Sequence, residues 1–453
     1  MIAPARLAAY ETLRAVTSGR ADLPAALARA RTRLDDERER ALAGEIATGT
    51  LRWLGAFDHV IEAFARRPPA RLDPEVLDIL RLTAFQLLHL DRVPASAAVN
   101  DAVNLARRAG KKSAAGLVNA VLRRISRERE RLPLPPRPAD GDRAAQIEYL
   151  STTLSHPGWL VERWLDRYGF EAAAAWTAFN NAPAPLTLRT NTLAGDRAAL
   201  AADLEGLGVQ TTHARFAPDG LVVTSGNPLL TPLAGTGRFF VQDEASQLVA
   251  LMLDAQPGEV ILDACASPGG KTTALAAAAR GEARIVACDV RPRRMALLAE
   301  TVRTAGRSGV RLVQADVAAG LPFAGAFDAA LLDAPCSGLG TLRRDPEIRW
   351  RRTPDELPRL AAVQLRMLAH VTDSLRPGGR VVYATCSSEP EENEAVVEAF
   401  LAMDAGVRLA PPTEWPERLR PFVTPAGHFR TLPFRDGLEA FFAAMLVKTK
   451  DLR

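Results

Sequence analysis

Residues 260–273 read Val-Ile-Leu-Asp-Ala-Cys-Ala-Ser-Pro-Gly-Gly-Lys-Thr-Thr, an apolar run that ends in an acid and continues into a loop of small residues. The apolar run predicts a buried strand, and the alanines after the loop predict a helix over residues 272–279. Strand, turn and helix then repeat from Gly237 onward, a rhythm typical of a doubly wound parallel sheet. Such a loop lets a ligand approach the backbone closely. Its spacing is neither G-x-G-x-x-G nor a P-loop, so it favours neither a dinucleotide nor a triphosphate.

Acidic residues follow the first four predicted strands of this region, and they are Asp263, Asp289, Asp316 and Asp333. Each of them alone would serve as a helix cap, but four in register favour a ligand, because open α/β sheets bind ligands at the carboxyl ends of their strands. The arrangement is the one expected for S-adenosylmethionine. Its ribose would lie at Asp289, its adenine edge near Asp316 and its methyl group near Asp333.

Two cysteines 50 residues apart also follow predicted strands: Cys336 comes after the run 327–332, and Cys386 after the run 380–384. Parallel strands end at one edge of a sheet, so both thiols are expected to face one crevice. The other two cysteines, Cys265 and Cys288, are expected to be small buried residues without a catalytic role.

The length and composition of the chain point to a multidomain soluble protein. A single hydrophobic core rarely serves 453 residues. The 47% hydrophobic and 24% charged content is average for globular proteins, and no apolar run of about 18 residues is present. No secretory signal is visible, so a cytoplasmic location is expected. Four scattered cysteines predict reduced thiols and no metal site.

Periodicity divides the chain into three predicted domains. Residues 1–135 give successive helical patterns, of which the apolar stripe over 74–90 is an example. The proline-dense stretch 132–138 predicts an extended linker. Residues 145–235 predict a small α+β module, and residues 236–450 predict the α/β domain that contains the loop, the acids and the cysteines.

The front of the chain is its basic part. Residues 1–135 carry 23 Lys and Arg against 16 Asp and Glu, a net charge of +7, whereas the remainder carries 34 against 37, a net charge of −3. Basic residues are most frequent between positions 107 and 131, where they occur at helical spacing: Arg107, Arg108, Lys111, Lys112, Arg123, Arg124, Arg127, Arg129 and Arg131. Such a face suits phosphate binding, but a solvated helix surface would carry the same charges, so charge alone does not decide between the two.

Three tryptophans follow in the middle of the chain: Trp159, Trp164 and Trp176. Aromatic side chains can stack on nucleic acid bases, but those spaced along helices more often belong to the core, which we expect here.

Three motifs together resemble the RNA 5-methylcytosine methyltransferases. They are the loop 263–273, the run Asp-Ala-Pro-Cys-Ser-Gly-Leu-Gly at 333–340 with Arg-Arg-Asp-Pro at 343–346, and Tyr-Ala-Thr-Cys-Ser at 383–387 with Pro390 and Glu392-Asn393. In the front domain, Ala-Val-Asn-Asp-Ala-Val at 98–103 and Leu-Val-Asn-Ala-Val-Leu-Arg at 117–123 resemble the NusB-like RNA-binding domain of one bacterial branch. That branch is the RsmB/Sun family of 16S rRNA (cytosine-967, C5) methyltransferases. Two features depart from its pattern: Ser267 replaces an alanine, and the tail at 433–442 is altered.

The resemblance implies an all-α NusB-like N-terminal bundle, a small α+β middle module of the RRM or ferredoxin-like type that binds RNA, and a Rossmann-like class I methyltransferase domain. It implies S-adenosylmethionine as methyl donor and 16S rRNA as substrate. Independently of the resemblance, we expect a monomer, because nothing in the sequence demands otherwise, and neither a metal nor a membrane as partner. The residues that it assigns to the cofactor are Cys265, Ala266, Ser267, Pro268, Gly269, Gly270, Lys271, Asp289, Asp316 and Asp333.

The chemistry of cytosine explains the pair of thiols. C5 is a poor nucleophile until a thiolate adds to C6, and a second group must then assist loss of the C5 proton and release of the thiol. The resemblance assigns the attack to Cys386 and the assistance to Cys336. It places Asp333 near N3 of the base, with Lys271 close by. The reverse order of the two cysteines stays open, because in DNA cytosine methyltransferases the Pro-Cys cysteine attacks.

Five arginines follow the Pro-Cys motif, and we expect them to hold RNA phosphates beside the site: Arg343, Arg344, Arg349, Arg351 and Arg352. Two other functions are considered. An RNA-binding or antitermination-type module would use the methyltransferase fold as a scaffold only, but the intact loop, acids and cysteines argue against it. An amino-methyltransferase would need an Asn or Asp-Pro-Pro-aromatic motif, which Asp333-Ala334-Pro335-Cys336 is not.

Overall fold

The computed structural model describes residues 2–139, 141–306, 309–403 and 406–449. It divides into two compact units. The first comprises Met1–Pro183 and Leu342–Arg352, and the second comprises Ala184–Thr341 and Thr353–Arg453. The division into domains at 1–135, 145–235 and 236–450 stays a prediction, and its outer limits at 1 and 450 lie outside the described residues.

The helices, numbered along the chain, are α1 (Pro4–Thr17), α2 (Leu23–Arg31), α3 (Glu37–Arg52), α4 (Leu54–Ala65), α5 (Pro74–His89), α6 (Ala95–Arg108), α7 (Ala115–Arg127), α8 (Arg143–Glu148), α9 (Gly158–Asn181), α10 (Arg197–Gly206), α11 (Glu244–Met252), α12 (Gly270–Ala278), α13 (Pro292–Ala305), α14 (Ile348–Arg351), α15 (Leu357–Asp373), α16 (Glu394–Met403) and α17 (Pro433–Asp436). The strands are β1 (Thr187–Thr190), β2 (Gln210–His213), β3 (Gly220–Ser225), β4 (Phe239–Val241), β5 (Val260–Asp263), β6 (Arg284–Asp289), β7 (Val310–Gln314), β8 (Phe327–Asp333), β9 (Leu375–Thr385), β10 (Val407–Leu409), β11 (Phe429–Arg430) and β12 (Phe442–Lys448).

The first unit is helical. The stripe predicted over 74–90 is confirmed as α5, whose apolar face joins a core shared by α1 to α7. The stretch 132–138 contains neither helix nor strand. Trp164 and Trp176 of α9 are fully buried and stack with ring centroids 4.5 Å apart, which confirms that they belong to the core. Trp159 is half-buried.

The expectation that Arg349 holds RNA phosphates is wrong. Its side chain is completely buried in the first unit, where the guanidinium donates to the carbonyls of Ser155 (3.1 Å) and Leu342 (3.2 Å) and to Oδ1 of Asn181 (2.9 Å). A guanidinium tolerates burial when acceptors surround it, which the residue type alone does not reveal. Arg343 also binds its own chain, through a hydrogen bond to the carbonyl of Pro183. For the exposed Arg351, phosphate binding stays a prediction.

The second unit begins with a small antiparallel sheet in the order β2-β3-β1-β4. Within the stretch 145–235, for which a small α+β module is predicted, β1 and β3 lie side by side in this sheet. Their side chains, with those of α10, form a core of their own around Leu188, Leu204 and Leu221. This sheet with its helix is the predicted α+β element.

A larger sheet carries the chemistry, in the order β10-β12-β9-β8-β5-β6-β7. Strands β5 to β9 are parallel, as the buried apolar runs predicted, while β12 pairs antiparallel with β9. From β5 the chain moves outward to β6 and β7 and then returns to β8 on the other side. This reversal leaves a crevice at the carboxyl ends of β5 and β8, where doubly wound sheets bind ligands.

Among the helices of the described ranges, none has both the length and the apolar character that a membrane span requires.

Candidate active site

The register of the sheet brings the two cysteines together. Asp333 at the end of β8 pairs with Ala384 of β9, so Cys336 and Cys386 leave the sheet at the same edge. Their Sγ atoms lie 3.3 Å apart, and both thiols are half-buried. The expectation that they face one crevice is confirmed.

Backbone contacts hold the two cysteine loops against each other. The N–H of Gly340 donates to the carbonyl of Cys386 at 2.9 Å, and the N–H of Ala440 donates to the carbonyl of Gly340 at 3.0 Å. A Cβ at position 340 would lie 1.9 Å from the Ala440 oxygen and 2.8 Å from the Cys386 oxygen. Only glycine therefore permits this approach. The tail, where the sequence departs from the family pattern, thus packs beside the Pro-Cys loop.

Asp333 and Lys271 form an ion pair beside the thiols. The Nζ of Lys271 lies 2.7 Å from Oδ2 of Asp333 and 5.7 Å from the ring centroid of Phe441. Burial alone would lower the pKa of Lys271, but the charge of Asp333 and the hydrogen bond to it raise that pKa above its ordinary value. The lysine is therefore a fixed positive charge next to the carboxylate.

The surroundings of Cys336 make its thiol less acidic. The hydrogen bond with Cys386, followed by burial, raises the pKa of Cys336 well above its ordinary value. Cys336 therefore keeps its proton at neutral pH.

The other two cysteines are held as thiols. Burial and the neighbouring acids raise the pKa of Cys265 well above its ordinary value and that of Cys288 to about 12. Neither is therefore an available nucleophile. Within the described residues, no group of three or more His, Cys, Asp or Glu side chains is placed to hold a metal ion.

A cavity of about 450 Å³ opens at the carboxyl ends of the parallel strands. The predicted site residues that line it are Cys265, Ser267, Asp289, Asp316, Asp333, Cys336 and Cys386. For five other residues assigned to the cofactor, contact with it stays a prediction, because they are not in this lining: Ala266, Pro268, Gly269, Gly270 and Lys271. Gly269 shapes the turn instead, because its φ of +108° and its closeness to Thr301 leave no room for a side chain.

Several residues that line the cavity lie outside the sequence motifs. Val290, Arg291 and Arg294 line the cavity just after Asp289, where their position next to a predicted acid was the only signal. Val363 and Met367 reach it from one face of α15, a helix without a motif.

Arg189 of β1 also escaped the sequence reading. It is buried and donates to Oγ1 of Thr273 at 2.6 Å and to Oε1 of Gln242 at 2.7 Å. It thereby holds the first turn of α12 in place, directly after the small-residue loop.

The cavity has the chemistry that S-adenosylmethionine requires. Asp289 and Asp316 each accept one backbone N–H, from Arg291 at 3.1 Å and Ala318 at 3.0 Å, but neither caps a helix, because Arg291 is the N-cap of α13 and Asp316 is followed by a turn. Each carboxylate nevertheless borders the cavity and has further acceptor capacity for ribose or adenine groups. Val290 and Met367 add apolar wall, and the volume is that of a small-molecule site.

Asp263 lies beneath this cavity rather than in its lining. It is fully buried and accepts a hydrogen bond from Oγ1 of Thr272 at 2.6 Å. Burial raises its pKa to about 7. Its position indicates a support for the loop rather than a contact with the ligand.

Family models match each part of the chain. Residues 250–447 match the model for the 16S rRNA methyltransferase RsmB/F, residues 3–127 match the NusB family, and residues 156–229 match the ferredoxin-like domain of RsmF/B-like methyltransferases. The expected NusB-like bundle, ferredoxin-like module and Rossmann-like methyltransferase domain are thereby confirmed.

Known proteins are similar over almost the whole length. A probable ribosomal RNA small subunit methyltransferase B of Bacillus subtilis is 35% identical, over 91% of either chain. The ribosomal RNA small subunit methyltransferase B of Pseudomonas putida is 36% identical, over 89% of this chain and 90% of its own. The crystal structure of a protein named PH0851 superimposes with a TM-score of 0.82 at 26% identity and covers 99% of both chains. The chain therefore belongs to the 16S rRNA methyltransferase RsmB/F family, and it is a methyltransferase whose methyl donor is S-adenosylmethionine.

Proposed function

We propose that this protein methylates C5 of a cytosine in 16S rRNA through a covalent cysteine adduct, at the position known in the family as cytosine-967. One observation carries the proposal: two thiols lie 3.3 Å apart at a cavity that also contains Asp333. Transfer to an exocyclic nitrogen or to a ribose oxygen needs no thiol, whereas transfer to C5 needs one to attack and a second group to assist release. The rRNA substrate is the one named for the relatives.

The first step is attack by Cys386. Its thiolate forms a bond to C6, and the electrons of the C5–C6 double bond move toward C5 and the N3 side of the ring. Asp333 binds the base near N3, and the charge of Lys271, 2.7 Å from that carboxylate, offsets the negative charge that develops. S-Adenosylmethionine, when bound, supplies the methyl group that C5 accepts.

The second step releases the product. The C5 proton leaves to a base, the bond between Cys386 and C6 breaks, and its electrons return to the Cys386 sulfur. Cys336 assists this release. Its Sγ lies 3.3 Å from that of Cys386, a distance at which its thiol can give a proton to the departing sulfur. The reverse assignment remains the second candidate.

The test is methylation of 16S rRNA with labelled S-adenosylmethionine by wild type, Cys386→Ala and Cys336→Ala. We expect Cys386→Ala to be inactive without an adduct, and Cys336→Ala to accumulate a protein–RNA adduct that survives denaturation. Mapping of the labelled fragment should place 5-methylcytosine at cytosine-967. Cys288→Ala, which alters a buried thiol outside the cavity lining, is the matched control.

Each other outcome identifies the part that fails. Full activity of Cys386→Ala would refute the nucleophile. An adduct in Cys386→Ala, with none in Cys336→Ala, would establish the reverse order. A label on another atom or at another cytosine would overturn the C5 chemistry or the position.

We also propose that a groove of about 610 Å³ between α6 and α7 holds phosphates of the RNA. Arg107, Arg123 and Arg127 line it together with the amides of Asn100 and Asn119, and its lining contains no acid. Within the described ranges, these three arginines form no ion pair with a carboxylate. Exposed guanidinium groups beside amide donors are the usual ligands of a nucleic acid backbone.

The structure separates this groove from the rest of the basic stretch. Lys111 pairs with Asp73 at 3.2 Å, and Arg124 pairs with Glu128 at 2.9 Å. Lys111 and Arg124 therefore belong to a solvated helix surface, which was the alternative to phosphate binding. The proposal is restricted to the side chains that line the groove.

The compartment and the state of association follow the same proposal. We place the protein in the cytoplasm, bound to 16S rRNA, because rRNA is the substrate named for its relatives. We propose separately that it acts as a monomer.

A further inference from the structure

A carboxylate lies buried directly behind the two cysteines. Glu392 follows β9 in a short turn, Pro390–Glu392, and its side chain has no exposed surface. An acid in such a place is costly unless hydrogen bonds replace its lost water. The identity of its partners therefore indicates what it does.

The four partners of Glu392 include the residues that follow each cysteine. Oε1 accepts the N–H of Ser337 at 2.8 Å and Nε2 of Gln364 at 3.0 Å. Oε2 accepts the hydroxyls of Ser337 and Ser387, each at 2.5 Å. Ser337 comes directly after Cys336, and Ser387 comes directly after Cys386. A single carboxylate thus joins both cysteine loops.

Neighbouring side chains fix the position of this carboxylate and form further hydrogen bonds to the two cysteine loops. Gln364 also donates to the carbonyl of Pro335 at 3.0 Å, and Tyr383 donates to the Glu392 carbonyl at 2.5 Å. Asn393 donates to the carbonyl of Ser387 at 3.0 Å. Each of these bonds ends on a residue adjacent to a cysteine or on Glu392 itself.

We propose that Glu392 is a positioning residue that sets the separation of the Cys336 and Cys386 thiols. Among side chains of this size, only a carboxylate accepts four hydrogen bonds without presenting a donor of its own. Glutamine would turn one of its two ends into a donor facing other donors, and aspartate is one methylene too short to keep both loops. If Glu392 contributed to stability alone, apolar residues of the same volume would often stabilise the protein as well or better.

The two-thiol chemistry explains why the Glu392 carboxylate should link the two loops, and to that extent the proposal rests on the proposed function. One sulfur must attack C6, and the other must reach the same adduct to assist release. Misplacement of a reacting group by about 1 Å can cost on the order of a hundredfold in rate. The rigid link between the residues adjoining the two thiols keeps that distance constant.

The experiment reads the thiol separation without RNA. Phenylarsine oxide binds two thiols at once, with loss of one water, only where the two sulfurs are close. We would titrate it against the full chain as wild type, Glu392→Gln and Cys336→Ala, where the last variant gives the affinity for a single thiol. Glu392→Gln should weaken capture at least about tenfold toward that single-thiol value.

A matched variant controls for loss of a buried carboxylate as such. Glu244 is also buried and accepts the N–H groups of Phe216 and Ala217, and within the described part of the chain none of its hydrogen bonds involves a cysteine loop. Glu244→Gln should keep the wild-type affinity for the arsenical within about twofold, even if its melting temperature falls as far as that of Glu392→Gln.

A milder change keeps the test decisive if Glu392→Gln does not fold. Ser387→Ala removes one hydroxyl from the carboxylate and leaves its three other partners. It should lower both arsenical affinity and the single-turnover methylation rate, while the Kd for S-adenosylmethionine stays unchanged. Wild-type thiol capture in both Glu392→Gln and Ser387→Ala would overturn the proposal. If capture depends on Glu392 but wild type methylates no cytosine, the positioning role stands and the proposed function fails.

Discussion

At Gly340 the two cysteine loops approach so closely that no side chain fits between them. A Cβ there would overlap the carbonyl oxygens of Ala440 and Cys386. Gly340→Ala should therefore push the loops apart, lower stability by about 2 kcal/mol and reduce the methylation rate about a hundredfold. Denaturant unfolding and single-turnover methylation measure the two effects.

Gly206 in α10 provides the matched control for that substitution. No atom lies within 4 Å of the position that its Cβ would take. Gly206→Ala should change stability by less than about 1 kcal/mol and leave methylation intact. If Gly340→Ala behaves like Gly206→Ala, the close approach of the loops is not required.

The individual site residues were predictable to different degrees. Asp333, Cys336 and Cys386 were identified because each follows a buried apolar run, and parallel strands align their ends. The motif residue Glu392 was quoted without a role, because its role depends on donors from three separate segments. Arg349 was misjudged, because a guanidinium surrounded by carbonyls and one on a surface have the same sequence signature.

At the scale of elements, the segment Leu342–Arg352 belongs to the first unit although the second unit flanks it in the chain. Three side chains hold it there. Arg349 is enclosed by carbonyls, Nε1 of Trp350 donates to the carbonyl of Leu51 at 2.8 Å, and Glu347 accepts the N–H of Leu23 at 3.1 Å. The short helix α14 is thus fixed by tertiary contacts rather than by its own four residues.

Arg349→Lys should loosen this segment. A single ammonium cannot replace a forked guanidinium, so several buried carbonyls would lose their donor, at about 3 kcal/mol in total. We expect the first unit to melt roughly 6 to 12 °C lower in a thermal scan followed by limited proteolysis. The exposed Arg351→Lys is the control and should shift melting by no more than about 1 °C. Equal melting temperatures of the two variants would contradict the role of Arg349 in holding this segment.

Secondary structure was predictable where burial imposes a simple pattern. The strands β5, β6 and β8 are mostly apolar runs between polar turns, and their predicted ends lie within a residue of the observed ones. Elements such as α14 and the two-residue β11 were not predictable. Their formation depends on contacts made after the chain has folded, not on a local periodicity.

At the scale of the whole molecule, the charge is divided between the two ends of the chain, with +7 over residues 1–135 and −3 over the remainder. Composition predicted a basic front domain and a weakly acidic catalytic part. It did not identify which cations are free to bind, because ion pairs such as that between Lys111 and Asp73 become visible only in the folded structure. The groove between α6 and α7 brings together three cations, Arg107, Arg123 and Arg127, that have no carboxylate partner among the described residues.

Removal of that charge should therefore change how RNA binding depends on salt. The triple variant Arg107→Gln, Arg123→Gln, Arg127→Gln removes up to three phosphate contacts. For single-stranded RNA each contact contributes about 0.7 to the slope of log K against log salt concentration, so the slope should fall by about 2. The measurement is a titration of 16S rRNA fragments between low and moderate salt.

A second triple variant separates local contacts from net charge. Arg31, Arg33 and Arg124 each pair with a glutamate, at 2.8 to 2.9 Å, so their change to glutamine removes the same total charge outside the groove. We expect its salt slope to stay within about 0.5 of wild type, because these cations are already neutralised. Equal losses in both variants would mean that RNA responds to the overall charge of the first unit. No loss in either would mean that the RNA binds elsewhere.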